Sequence, residues 1–228
     1  MTVLHPRGVN HLAIATRDIK MQLEFWCDLL GCPLKALYWM HGLEGAFHGF
    51  IELSEDSYIA FVQTPDVPDR VEYGVTHAPD LTAPVAAGLM QHLALHVDSF
   101  DELLTMRDRL RSRGLQVLGP IDHGFIQSIY FSGPEGLNLE IACGTDIPAE
   151  EWIDPEVQGL CNISDDELAA FKRPASFERP ARPVPQPVFD PSLPHWHYPP
   201  GVREKIMGRS DADVWARLSE TTPPVTAG

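Results

Sequence analysis

The sequence predicts an α+β fold of two βαβββ modules followed by a proline-rich extension, and an internal repeat is the main reason. The segment N10-H-L-A-I-A-T16 recurs as Q91-H-L-A-L-H-V97, at an offset of 81 residues (92 minus 11). Each copy is followed first by a helical pattern and then by three short β-like runs. A strand, a helix and three strands therefore occur twice in the same order.

The two predicted helices have recognisable ends. The first covers residues 18–30 and stops before Gly31, and the second covers residues 99–113 and stops before Gly114. In the second, Ser99 and Glu102 have the spacing of a capping box, in which both side chains bond free backbone N–H groups. Glycine after the last turn is typical of a helix end.

Three predicted strands follow each helix, and a polar turn separates the last two. They cover residues 33–40, 46–53 and 58–63 in the first copy, and 115–119, 126–132 and 137–142 in the second. The modules are thus predicted at about residues 7–65 and 90–145, within one domain of residues 1–145. One such module leaves a face of its sheet uncovered, so the two are expected to pair around a common core.

The composition changes after about residue 146. Eleven of the 21 prolines lie between Pro148 and Pro200, and R182-P-V-P-Q-P187 is typical of polyproline II. Short helices are predicted from Ser164 to Phe171 and from Val202 to Leu218. We expect this C-terminal extension, residues 146–228, to pack through its many aromatic residues on its own domain or on a partner subunit. A flexible linker and a lid over a site are the alternatives.

Bulk properties narrow the function classes. The net charge of −15 disfavours nucleic acid and anionic membranes as partners. No apolar run is long enough to span a membrane, and the N-terminus does not resemble a signal peptide. The four cysteines form no CxxC pair. We therefore expect a cytoplasmic protein with reduced cysteines and a small-molecule substrate.

Side-chain alternation predicts a metal site. In each repeat strand, aliphatic residues share one face, and the other face carries His11 in the first copy and His92 in the second. In the last strand, Glu140 lies between Leu139 and Ile141, where a carboxylate is costly unless it is paired or bound to a metal. Two histidines and one carboxylate form a facial ligand set with open positions.

These segments resemble the vicinal-oxygen-chelate superfamily, which includes glyoxalase I, bleomycin-resistance proteins, fosfomycin-resistance thiol transferases and type I extradiol dioxygenases. The resemblance covers about residues 7–145 and implies an open, cup-shaped mixed β-barrel. The superfamily's metal ligands match His11, His92 and Glu140. The motifs on which this resemblance rests are G8-V-N-H-L-A-I-A-T16, F25-W-C-D-L-L-G31, Q91-H-L-A-L95 and I129-Y-F-S-G-P-E-G-L-N-L-E-I141.

Departures from the family patterns favour one class. Aligning the turn 54–57 with the turn 133–136 puts Phe61 opposite Glu140, where glyoxalase I has a fourth ligand. The same alignment marks Glu52 and Glu55 as non-ligands. The three-ligand set resembles type I extradiol dioxygenases, which use Fe(II), a catechol and O2. Their acid–base residues match Tyr130 and, with small offsets, His123 and His77.

The resemblance thus implies an Fe(II) extradiol dioxygenase that cleaves a catechol-like ring, with Mn(II), Ni(II) or Zn(II) as alternative metals. Tyr130, His123 and His77 are the candidate catalytic residues. A redox-neutral lyase, isomerase or epimerase with an enediolate intermediate is the first alternative. A non-catalytic small-molecule binding protein on the same fold is the second. A homodimer or higher homo-oligomer is expected.

Overall fold

A computed structural model describes residues 4–144 and 146–225, and its strands confirm two βαβββ modules. Among the described residues, no helix combines the length and the apolar character needed to cross a bilayer. The first module consists of β1 His11–Ala15, α1 Ile19–Leu23, a π-helical continuation Glu24–Leu30, β2 Leu34–Trp39, β3 Phe47–Ser54 and β4 Ser57–Gln63. The second consists of β5 Leu93–His96, α2 Phe100–Ser112, β6 Leu118–Asp122, β7 Gln127–Ser132 and β8 Asn138–Cys143.

Each module builds one four-stranded mixed sheet. Sheet 1 has the order β1-β4-β3-β2, and sheet 2 repeats it as β5-β8-β7-β6. The first strand of each module pairs in parallel with the last, and the other pairs are antiparallel. The sheets do not close, which agrees with the predicted open α+β architecture. Because β1 and β5 lie at sheet edges, each has one edge without a strand partner in the described chain.

The helices begin and end where the sequence signals predict. Ser99 accepts the backbone N–H of Glu102, and the Glu102 carboxylate accepts that of Asp98, which completes the capping box of α2. The first helix ends at Gly31, whose φ of 88° favours glycine. A side chain there would also collide with the guanidinium of Arg109, which donates to the Leu29 carbonyl oxygen over 2.7 Å. Arg109 thereby ties α2 to the end of the first helix.

One hydrophobic core serves both modules. Trp26 and Phe61 of the first module and Leu103 and Leu139 of the second are fully buried in the same cluster. The aliphatic faces of both sheets thus meet the helices, as the alternation pattern predicts. The opposite faces remain for polar residues.

Glu135, in the turn between β7 and β8, joins the second module to the first. Its carboxylate accepts the Thr16 hydroxyl at 2.7 Å, the Arg17 backbone N–H at 2.9 Å and the Gln22 side-chain amide at 2.8 Å. Thr16 and Arg17 follow β1, Gln22 belongs to α1, and Thr16 and Gln22 are fully buried. A half-buried carboxylate that accepts three hydrogen bonds is well stabilised.

The chain divides into two compact units, one of residues 6–169 and one that contains residues 170–225. The first unit includes the helices Ala149–Trp152 (α3) and Pro155–Leu160 (α4) and most of Asp165–Lys172 (α5). Ser164 caps α5 as predicted. The single helix predicted over residues 202–218 is wrong, because the chain forms Val202–Met207 (α6) and Asp211–Leu218 (α7). Gly208 ends α6, and Ser210 caps α7 by accepting the Asp213 N–H.

The four cysteines are free thiols with very different environments. Cys161 is exposed, Cys143 is buried, and burial raises the pKa of Cys32 to about 11. We expect a disulfide reagent at pH 8 to modify Cys161 first, because at Cys32 only about one thiol in a thousand is then ionised. Peptide mapping of partly labelled protein measures this order. Labelling of Cys32 or Cys143 at the rate of Cys161 would contradict the packing of the first helix and β8.

Candidate metal centre

The pairing of β5, β8 and β7 brings candidate site residues onto one face of sheet 2. Ala94 of β5 pairs with Glu140 of β8, which pairs with Tyr130 of β7. Leu139 and Ile141 point the other way into the core, so Glu140 must point to the polar face. Its carboxylate is nevertheless buried, at 3% exposure.

Gln91 determines which ring nitrogen of His92 carries the proton. Its side-chain amide donates to the Leu81 carbonyl oxygen over 2.9 Å, and its Oε1 faces His92 Nδ1. Because an amide oxygen only accepts, the neutral ring is protonated at Nδ1. The unprotonated Nε2 then presents its lone pair, and this atom lies 3.0 Å from Oε2 of Glu140. Two acceptors this close require a proton or a metal ion between them.

The second carboxylate oxygen of Glu140 points to the same conclusion. Its Oε1 is buried and has no hydrogen-bond partner among the described residues. An unsatisfied buried group costs about 1–3 kcal/mol, and more when it is charged. A divalent cation beside His92 Nε2 would satisfy both residues, and imidazole with carboxylate suits iron, manganese, nickel and zinc. His92 and Glu140 therefore fit a metal ion.

Tyr130 of β7 and His123, in the loop that follows β6, form a second pair at this sheet. The Tyr130 hydroxyl lies 2.8 Å from His123 Nε2, so one group donates and the other accepts. Burial raises the pKa of Tyr130, and the nearby Glu140 carboxylate raises it further. The ring of Tyr130 also meets the ring of His92 edge-on. The predicted residues Tyr130, His123, His92 and Glu140 are thus close together.

His11 lies on the other sheet. Its Nδ1 faces Oδ1 of Asn10 at 2.8 Å, which repeats the arrangement of Gln91 and His92 and leaves Nε2 free. Its ring meets Phe50. Across residues 4–144 and 146–225, no three His, Cys, Asp or Glu side chains lie close enough to hold one ion. Within one chain, the structure does not bring His11 to the other two predicted ligands.

His48 of β3 is a polar residue on sheet 1 that the sequence analysis did not select. Its Nδ1 lies 3.4 Å from the Tyr38 hydroxyl, and its ring packs against Phe50. Burial lowers the pKa of His48, and His11 lowers it further. Its place on the face of His11 follows from the alternation along β3, which only the strand register reveals.

The register also corrects the predicted counterpart of Glu140. Glu140 pairs with Ala94, two residues after His92, and the equivalent pair in the first module is Ala13 with Ala60. Ala60 is therefore the counterpart, and the prediction of Phe61 is wrong. The alignment was shifted by one residue: the equivalent pairs Glu52–Tyr58 and Ser132–Asn138 each enclose five residues, so residues 53–56, and not 54–57, match the turn 133–136. Neither Ala60 nor Phe61 offers a fourth ligand.

His77 is placed beside the turn between β7 and β8. Its Nδ1 lies 2.9 Å from the Thr76 hydroxyl, and its ring packs near Gly136. There it lines a cavity of about 750 Å³ that runs along β1 and also contacts Arg17, Met90 and Asn138. The cavity lining includes none of the three predicted ligands. His77 is therefore not part of the cluster around Glu140 within one chain.

Comparison with known proteins agrees with this architecture. The family model for the glyoxalase/bleomycin resistance protein/dioxygenase superfamily matches residues 8–141. A solved glyoxylase/bleomycin resistance protein/dioxygenase domain from Frankia sp. EAN1pec has a TM-score of 0.50 at 15% identity and covers 62% of this chain and 100% of that one. At this identity, the likeness supports the fold alone.

Two curated relatives match the same region. Biphenyl-2,3-diol 1,2-dioxygenase 2 of Rhodococcus globerulus is 27% identical over 132 residues, which are 58% of this chain and 60% of that enzyme. YaeR of Escherichia coli (strain K12) is 26% identical over 137 residues, 59% of this chain and 95% of YaeR. The chain thus matches only about 60% of the length of the Rhodococcus enzyme.

Proposed function

The chain belongs to the glyoxalase/bleomycin resistance protein/dioxygenase superfamily, and from this premise we propose that it is an Fe(II)-dependent extradiol dioxygenase acting on a catechol-like aromatic. The observation that carries the proposal is the 3.0 Å contact between His92 Nε2 and the buried carboxylate of Glu140, whose other oxygen has no partner among the described residues. The distant likeness to an enzyme named for biphenyl-2,3-diol supports the choice of substrate class.

We propose that His11 of a second copy completes the ligand set. The first strand of each module has an open edge, and open edges are usually covered or paired. His11 and His92 lie at the same position of these two strands, and each has an amide side chain at Nδ1. Placing β1 of one copy beside β5 of another would bring the third ligand to His92 and Glu140. A two-fold axis would make two such sites.

When bound, the divalent ion would acidify and orient a coordinated substrate hydroxyl. The chain supplies the groups that receive the released proton. Tyr130, held beside Glu140, can exchange a proton with His123 across their 2.8 Å contact. His123 is exposed and can pass the proton to solvent. We therefore assign the acid–base role to this pair, and we propose that His77 acts at the site only if an oligomer brings it there.

The experiment is a turnover assay on protein purified without oxygen and loaded with Fe(II). Catechol, biphenyl-2,3-diol and a monophenol control are each added in air. The proposal predicts oxygen uptake and a yellow ring-fission product with the diols only. Turnover without oxygen in the presence of Ni(II) or Co(II), with no oxygen uptake by the iron form, would instead favour the redox-neutral lyase or isomerase.

A further inference from the structure

The connection between β6 and β7, which carries His123, is a tight loop. The His123 backbone N–H donates to the Ile126 carbonyl oxygen over 2.8 Å, and the Gly124 N–H donates to the Asp122 carboxylate over 2.8 Å. Gly124 has a φ of +89°, which favours glycine. These bonds shape the backbone, and the exposed imidazole of His123 is held only where its Nε2 meets the Tyr130 hydroxyl, among the described residues.

Trp152, the last residue of α3, covers this loop. A Cβ atom placed on Gly124 would lie 2.6 Å from Cζ2 and 2.9 Å from Cη2 of Trp152, so the indole lies directly on the glycine backbone. The indole also meets the ring of Phe125 edge-on, with the centroids 4.8 Å apart. The two residues that follow His123 are thus held by one side chain of the C-terminal extension.

The path of the chain after β8 explains why α3 reaches this loop. Gly144 lies so close to the loop that a Cβ atom there would be 2.4 Å from the Phe125 carbonyl oxygen. The turn of α3 is then closed by the N–H groups of Glu151 and Trp152, which both donate to the Pro148 carbonyl oxygen. The chain thus leaves β8 against the loop, and Trp152 meets the loop again eight residues later (152 minus 144).

We propose that Trp152 is a positioning residue that holds the loop of His123 so that the imidazole stays in contact with Tyr130. The C-terminal extension, which lies outside the matched region 8–141, would thereby control the acid–base pair of the site. The catalytic meaning of this contact rests on the proposed function, whereas the contact itself does not. Trp152 is 48% exposed, so it stabilises the loop from one side only.

The first test is hydrogen–deuterium exchange of residues 122–127 in the full-length protein. We expect Trp152→Ala to accelerate exchange in this segment about two- to tenfold, the effect of losing an aromatic pair, and Trp152→Phe to restore most of the protection. Gly124→Ala should accelerate exchange at least as much as Trp152→Ala, because its methyl group both displaces the indole and strains a backbone at φ +89°. Trp215→Ala, at an exposed tryptophan of α7, is the matched control and should leave the segment unchanged.

The second test follows catalysis in the iron-loaded enzyme. Trp152→Ala should lower kcat and change its pH profile while KM and metal content stay near wild type, and Trp152→Phe should recover the profile. Unchanged exchange in Trp152→Ala would overturn the proposal, as would an equal effect of Trp215→Ala. If wild-type protein holds no metal, the proposed function fails, and the exchange experiment still decides whether Trp152 holds the loop.

Discussion

Replacing Glu140 with alanine is expected to abolish stoichiometric metal binding and to reduce turnover of a catechol more than about 100-fold. Loss of an outer group that orients a ligand already costs 10–100-fold, so loss of the ligand itself should cost more. Glu140 is the only carboxylate in contact with His92 Nε2 among the described residues. Metal per chain, measured by elemental analysis after anaerobic purification, is the direct readout.

Two further variants make this prediction specific. Gln91→Leu removes the acceptor that directs His92 Nε2 to the metal, and we expect metal affinity to fall about 10–100-fold. Glu55→Gln, in the exposed turn between β3 and β4, is the control and should bind metal like wild type. A Glu140→Ala protein that keeps a full equivalent of metal would refute the assignment of this ligand.

Trp26→Ala is expected to destabilise the fold by about 3–5 kcal/mol. Trp26 is fully buried, and its ring packs against Phe25 and Phe61 in the core that both modules share. Its indole N–H has no hydrogen-bond partner among the described residues, so the loss is one of packing. Urea denaturation followed by circular dichroism measures the change in the free energy of unfolding.

Trp215 provides the matched control for this truncation as well. It is 75% exposed in α7, and Trp215→Ala should change the free energy of unfolding by less than about 0.5 kcal/mol. A decrease of less than about 1 kcal/mol in the free energy of unfolding of Trp26→Ala would contradict a common core, because truncation of a fully buried large side chain destabilises a protein by more than that.

The repeat and the side-chain alternation were sufficient to predict the two modules and their sheets. Residues such as Leu139 and Ile141 alternate so regularly that the polar face follows from the sequence, and with it the buried position of Glu140. The exact register did not follow, because the polar residues of a turn do not show which strand residues pair beside it. Glu52–Tyr58 and Ser132–Asn138 are the equivalent pairs, so Ala60 rather than Phe61 matches Glu140.

Other parts of the site depend on contacts that no local pattern specifies. The amide residue before each histidine was visible in the sequence, but its role appears only when Gln91 is bonded to Leu81 and to His92. Trp152 lies outside the repeat, and its contact with Gly124 is a tertiary one. His11 lies on the predicted strand, yet the described residues of a single chain do not bring it together with His92 and Glu140, because no sequence pattern specifies how the two sheets face each other.

Complementation between two inactive chains tests the composite metal site most directly. His11→Ala and Glu140→Ala chains carrying different affinity tags are co-expressed, and the mixed oligomer is isolated through both tags. If His11 of one copy completes the site of another, each mixed dimer has one intact ligand set and should hold about half a metal ion per chain. Each variant alone should hold almost none. A mixed dimer without metal, or the absence of any mixed oligomer, would contradict a site shared between two chains.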